Sequence, residues 1–171
     1  ALPIFTESLF TEERMNALCE RIRTGPWDVV LLQEVWTKNH RARLSKCGLE
    51  HVMDLRSTGS TKREKNLGSG LMILSRFPLE DQERKILVRP RGFKAIFSHG
   101  ERIVRKSVYL ARARMPDGRS FWIANTHLVS NYCETTNFDT CSSYQNVRHT
   151  QLTQASKFLR EKTGDEAVIF G

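Results

Sequence analysis

The stretch Phe121-Trp122-Ile123-Ala124-Asn125-Thr126-His127-Leu128 places the tightest limit on the fold. Four aromatic or apolar side chains run into three polar ones before one more apolar residue follows. A run this short, rich in aromatic and β-branched residues, predicts a buried strand. Such a strand ends at the rim of a sheet, where open α/β folds collect their ligand groups. His127 at that rim has two readings. It is either a histidine satisfied by local hydrogen bonds, or one that moves a proton or holds charge beside a phosphate.

Other segments supply the layers that a buried strand requires. Thr11 opens a helix with Glu12 and Glu13 in its first turn and Arg21 and Arg23 in its last, matching the helix dipole. Met15, Leu18, Cys19 and Ile22 form one apolar stripe at helical spacing, and Gly25-Pro26 ends it. The run Val29–Leu32 follows without alternation, as a strand covered on both faces does. Gly68-Ser69-Gly70 leads into a second such strand, Leu71–Ser75, its glycines allowing close backbone approach. Residues 39–46 read as a short basic helix and Ile86–Val88 as a short strand. Lys106–Met115 alternates, with Val108 and Leu110 opposed to Tyr109, Ala111 and Ala113. Pro116-Asp117-Gly118 is a turn that joins this strand to the opening stretch as an antiparallel hairpin, which makes the sheet mixed. A helix over 144–162 shows Leu152, Ala155 and Leu159 on one face, with Arg148 and Gln151 one turn apart near its start. Ala167–Phe170 begins another buried strand. Alternating helices and strands over 171 residues predict a single α/β domain.

Gln33 and Glu34 directly follow the first buried strand. A carboxylate there needs a partner. Either a lysine or arginine pairs with it, or a divalent cation takes it as a hard oxygen ligand. Lys and Arg number 27 against 19 Asp and Glu, a net +8 that favours polyanions, whether phosphodiester backbones or acidic lipid headgroups. The basic, polar loop over 56–66 is either a solvated excursion or an arm towards such a surface. No apolar run approaches the roughly 20 residues that span a bilayer. Residues 1–6 carry neither the basic start nor the long apolar stretch of a signal peptide.

Among the four cysteines, Cys19 reads as a small core residue and Cys47 as a helix-end position of little consequence. Cys133 and Cys141 share a polar loop that a bridge between them would pin, implying an oxidising compartment and a secreted or extracytoplasmic protein. No set with zinc spacing is complete.

Three segments, in order, resemble the endonuclease/exonuclease/phosphatase superfamily, the fold of DNase I and the magnesium-dependent sphingomyelinases. They are Leu31-Leu32-Gln33-Glu34-Val35-Trp36, the stretch from Gly68 to Pro78, and Asn125-Thr126-His127-Leu128. The helix carrying Arg148, Gln151 and Gln154 fits as well. The resemblance implies a four-layer α/β sandwich, two mixed β-sheets flanked by helices, here incomplete. It implies Glu34 as the carboxylate that binds catalytic Mg²⁺ and His127 as the catalytic histidine beside the scissile phosphate. Asn125, Lys106 and Arg148 become substrate-binding residues, Lys106 having an ordinary strand-edge lysine as its alternative. The family's first strand carries a metal-binding asparagine, and a Gly-Asp-x-Asn motif and a later Asp-His pair complete its site. By this resemblance residues 1–171 form one partial domain, inactive alone, within an active parent.

Glu34-Val35-Trp36 and the segment from His99 to Lys106 resemble the neutral sphingomyelinase branch. The first expectation is therefore a Mg²⁺-dependent phosphodiesterase acting on a phospholipid such as sphingomyelin, with peripheral membrane contact. The alternatives are a nuclease on the same scaffold, whose basic face follows nucleic acid, and a non-catalytic member that binds a polyanion or protein.

Overall fold

The computed structural model describes residues 11–55, 69–89, 105–130 and 138–171. The 56–66 loop, His99 and Cys133 lie outside them. The elements in order are α1 (Thr11–Thr24), β1 (Val29–Leu32), α2 (Lys38–Leu44), β2 (His51–Met53), β3 (Met72–Ser75), β4 (Leu79–Ile86), β5 (Ser107–Arg114), β6 (Ser120–Thr126), α3 (Phe138–Thr163) and β7 (Val168–Phe170). Two sheets form, in strand orders β1-β3-β2 and β4-β5-β6-β7. The first is antiparallel throughout. The second is mixed, because β7 runs parallel to β6 while β4, β5 and β6 are antiparallel.

Strand periodicity sorts the apolar side chains into three cores. In β1 and β3, Val30, Leu32, Met72 and Leu74 face outward and pack with Met15, Leu18, Ile22 and Leu44 of the two helices. Val29, Leu31 and Ile73 face inward and meet Tyr109, Ala111, Ala113 and Ile123 of the second sheet. On that sheet's far side, Val108, Leu110, Trp122 and Ala124 receive Ala155 and Phe158 of α3. The order of layers is helices, sheet, sheet, helix, the four-layer α/β sandwich expected. The first sheet lies between two apolar layers, so β1 and β3 have no polar face although they pair antiparallel.

The structure departs from the sequence reading in five places. β7 pairs with β6 but is not the buried strand expected, because Ile169 and Phe170 are 54% and 49% exposed. β4 runs over Leu79–Ile86, not from Ile86 to Val88. Its nearly all-charged sequence suits an edge strand: β5 supplies backbone partners, the register shifts between Glu80 and Glu83, and Glu80 holds Arg114 through two 2.8 Å contacts. α3 begins at Phe138, six residues early. Leu152 is 45% exposed, and Phe158 takes the core position instead. Most consequentially, Cys19 is not merely a core residue. It is bonded to Cys47 across 28 residues, with Cα atoms 5.0 Å apart, and ties α1 to the segment after α2. Cys141 is also disulfide-bonded.

The Cys19–Cys47 bridge closes a loop whose chain-entropy contribution is roughly 3–4 kcal/mol. The double variant Cys19→Ala/Cys47→Ala should lose about that much in urea unfolding. Its m-value should rise somewhat, because the unbridged denatured chain is less compact and exposes more surface on unfolding.

Candidate active site

Face-to-face sheets ordinarily meet through apolar side chains about 10 Å apart. At one end of this sandwich, polar groups cross the gap. Asn125 on β6 is wholly buried, and its Nδ2 donates to the carbonyls of Leu32 on β1 and Met72 on β3, both at 2.9 Å. The Gln33 side chain returns the tie, donating to Thr126 O at 2.7 Å. Thr126 Oγ1 donates to Ser107 O, which joins β6 to the start of β5. These bonds bring the ends of β1, β5 and β6 together, and the next residue on each becomes a neighbour of the others.

Glu34 follows β1, Lys106 precedes β5 and His127 follows β6. Glu34 Oε1 lies 3.6 Å from His127 Nε2, and Lys106 Nζ lies 3.4 Å from the same nitrogen. Lys106 is buried and Glu34 is mostly exposed. An ammonium only donates and a carboxylate only accepts, so the two partners make opposite demands on the Nε2 proton. The imidazole stands between a negative and a positive group, an arrangement suited to proton movement.

The turn carrying Glu34 is strained. Glu34 has φ 59°, a left-handed conformation that disfavours a residue with a Cβ by roughly 1–2 kcal/mol. Val35 N–H donates to Gly70 O at 2.8 Å. Gly70, with φ 72°, leaves room for the Trp36 ring, which a Cβ would meet at 2.5 Å. The close approach expected of these glycines is therefore between backbone and an indole. Trp36 in turn faces His127, their ring centroids 6.3 Å apart.

A cavity of about 260 Å³ opens here, lined by Gln33, Thr126, His127, Leu128, Ser130 and Arg148. Arg148 donates to Val129 O at 3.0 Å, and the buried Gln151 accepts from Val129 N and donates to Val88 O. Gln154 accepts from Val88 N. The glutamines thus fasten the cavity's loops to α3. A larger cavity of about 350 Å³, around Trp27 and Arg76, lies at the opposite end of β1. Arg76 there is paired with Asp28, and neither Glu34 nor His127 lines it.

Of the residues singled out in the sequence, Glu34, His127 and Lys106 meet, and Arg148 stands on the cavity wall. Asn125 has a structural task in the sandwich. Both its amide hydrogens are donated to backbone carbonyls inside the sandwich, so it ties the strand ends together, while its Oδ1 is buried without a hydrogen-bond partner among the described residues. Gln33 and Trp36 join the site. Their signal was adjacency to Glu34, yet nothing in the sequence says which way they turn. Among the described residues no lysine or arginine pairs with Glu34, whose exposed carboxylate is a hard oxygen donor. That fits Mg²⁺, which commonly binds through one or two carboxylates and keeps several waters. No group of three or more His, Cys, Asp or Glu suited to a metal occurs among the described residues.

A family model described as "Endonuclease/Exonuclease/phosphatase family" matches residues 6–171. An inositol phosphosphingolipids phospholipase C of Schizosaccharomyces pombe is 31% identical over 129 residues, 73% of this chain and 28% of that protein. Sphingomyelinase C from Streptomyces griseocarneus superposes with a TM-score of 0.74 at 17% identity, covering 95% of this chain and 56% of that one. A β-hairpin deletion mutant of beta toxin from Staphylococcus aureus gives 0.75 at 14% identity, covering 99% and 61%. At these identities the structural likeness speaks for the fold. The chain spans less than a third of the length of the curated relative.

Asn125→Asp would set a carboxylate against the carbonyls of Leu32 and Met72 in a buried gap. The expected loss is about 3 kcal/mol or more in urea unfolding, the penalty for unpaired buried polar groups. A loss under 1 kcal/mol would show that the sheets do not depend on this amide.

Proposed function

Because the chain belongs to the endonuclease/exonuclease/phosphatase family, we propose that the protein carrying it is a hydrolase that cleaves the phosphodiester of a phospholipid such as sphingomyelin. The observation that carries this reading is the convergence of Glu34, Lys106 and His127 on one nitrogen beside an open cavity. The sphingolipid phospholipase among the relatives supports the substrate class. In this reading residues 1–171 are part of one catalytic domain.

Phosphodiester hydrolysis builds negative charge on the non-bridging oxygens and on the departing alkoxide. Lys106, buried behind His127, brings an ammonium next to the cavity's histidine, where it acts more strongly than at an open surface. His127 donates a hydrogen bond to the phosphoryl group from its ring. Arg148 adds a guanidinium, whose planar fork matches two phosphate oxygens. Glu34 would hold the cation, and its strained turn keeps the carboxylate aimed outward in advance. A bound Mg²⁺ supplies a Lewis acid that polarises the phosphoryl oxygen. Carboxylate and imidazole therefore do separate work, one through a metal and one through a proton.

The setting agrees with this reading. Disulfides at Cys19–Cys47 and at Cys141 suit an oxidising compartment. No helix among the described residues is long and apolar enough to cross a membrane, so lipid would be met from the surface. A net +8 draws such a protein to anionic headgroups.

Full-length protein with Mg²⁺ should release the phosphorylated headgroup from sphingomyelin vesicles and leave plasmid DNA intact. Glu34→Gln and His127→Ala should each lower kcat roughly 100-fold or more without changing Tm by more than a few degrees. Cleavage of DNA alone would replace the lipid reading with the nuclease one. Inactivity on both substrates would leave a polyanion- or protein-binding role.

A further inference from the structure

Arg41 lies in the middle of α2, outside the cavity, yet it is 3% exposed. Its Nη1 donates to the Val35 carbonyl at 3.1 Å, and its Nε lies 3.5 Å from Asp54 Oδ2. Val35 is the residue after Glu34. Its N–H is already held by Gly70 O, so with Arg41 on its carbonyl both backbone polar groups of Val35 are fixed. The strained φ of Glu34 is thus clamped from the C-terminal side by α2 and by the entry to β3.

Asp54 is itself held in place. Leu55, the next residue, accepts from Tyr109 Oη at 2.5 Å and from Arg84 Nη1 at 3.4 Å. Burial raises the Tyr109 hydroxyl above its ordinary pKa, which keeps it a donor. α2 is also secured at both ends. Thr37 accepts from His40 N–H at its start, and Cys47 is bonded to Cys19 beyond its end. A buried guanidinium with a carboxylate partner is costly to lose by halves, and a planar fork spanning a carbonyl and a carboxylate is something lysine cannot reproduce.

We infer that the Arg41–Asp54 pair is a positioning device for Glu34, holding its turn in the left-handed conformation so that the carboxylate is presented to a divalent cation. The inference rests on the reading of Glu34 as a metal ligand, and it assigns to α2 a role beyond covering the first sheet. Arg41 touches neither substrate nor cation; it acts through the Val35 carbonyl.

The test uses full-length protein, Mn²⁺ as the probe, and electron paramagnetic resonance titration of free Mn²⁺, with Tm recorded for every variant. Arg41→Lys and Asp54→Asn keep a polar group in place and should remain folded. Each should weaken Mn²⁺ binding by roughly 10-fold, as the loss of supporting partners behind metal ligands does. In activity assays the loss should follow metal concentration, with saturating Mn²⁺ restoring most of kcat. Mn²⁺ affinity unchanged in both, while Glu34→Gln weakens it, would overturn this inference and leave the metal reading standing. Unchanged affinity in Glu34→Gln would overturn the metal reading and this inference with it.

Discussion

One side-chain amide sets the geometry on which the rest depends. Two stacked sheets held only by apolar contact can slide and rotate, because the hydrophobic effect has no direction. Asn125 removes that freedom at the rim by donating to carbonyls of two different strands in the opposite sheet. Hydrogen bonds are short and directional, so this crossing fixes the end of β6 relative to the ends of β1 and β3 to within a fraction of an ångström. The Gln33 amide, donating the other way, fixes it a second time. With the strand ends registered, Glu34 and His127 face each other although 93 residues separate them in the chain.

The site then illustrates how a stable sandwich accommodates an unstable local arrangement. A glutamate with positive φ and a buried lysine are each unfavourable in isolation. They persist because the surrounding layers are tightly packed and their polar groups are tied elsewhere. Gln151 and Gln154 on α3 serve the same end on the other wall. They replace the ladder partners that Val88 and Val129 lack as the chain leaves the sheet.

Legibility in the sequence followed the range of the interaction. Val29–Leu32, Leu71–Leu74 and Phe121–Ala124 were readable as buried strands because their apolar character is local. The Pro116-Asp117-Gly118 hairpin was readable because turn chemistry is local too. Glu34 and His127 stood out as polar residues at the ends of such strands, and the family resemblance supplied their roles. β4 escaped, since a strand made mostly of charged and polar residues announces itself only once a partner strand supplies its backbone bonds. The Cys19–Cys47 pairing escaped because spacing along the chain does not determine distance between a helix and a later loop. Leu152 misled for a related reason: which face of α3 meets the sheet is settled by packing, and that face carries Ala155 and Phe158 while Leu152 stays exposed.

What the sequence alone determined is the α/β class, the buried strands and the chemical kinds of group at their ends. Those follow from side-chain polarity at periods of two and 3.6, which any single chain displays. Only the tertiary structure decided that Asn125 ties the two sheets, that Lys106 is sunk beside His127, and that Arg41 reaches back to the turn behind Glu34. The first two join residues distant in the chain, and even the Arg41–Val35 bond, six residues apart, depends on how α2 packs against the first sheet, which local periodicity does not encode.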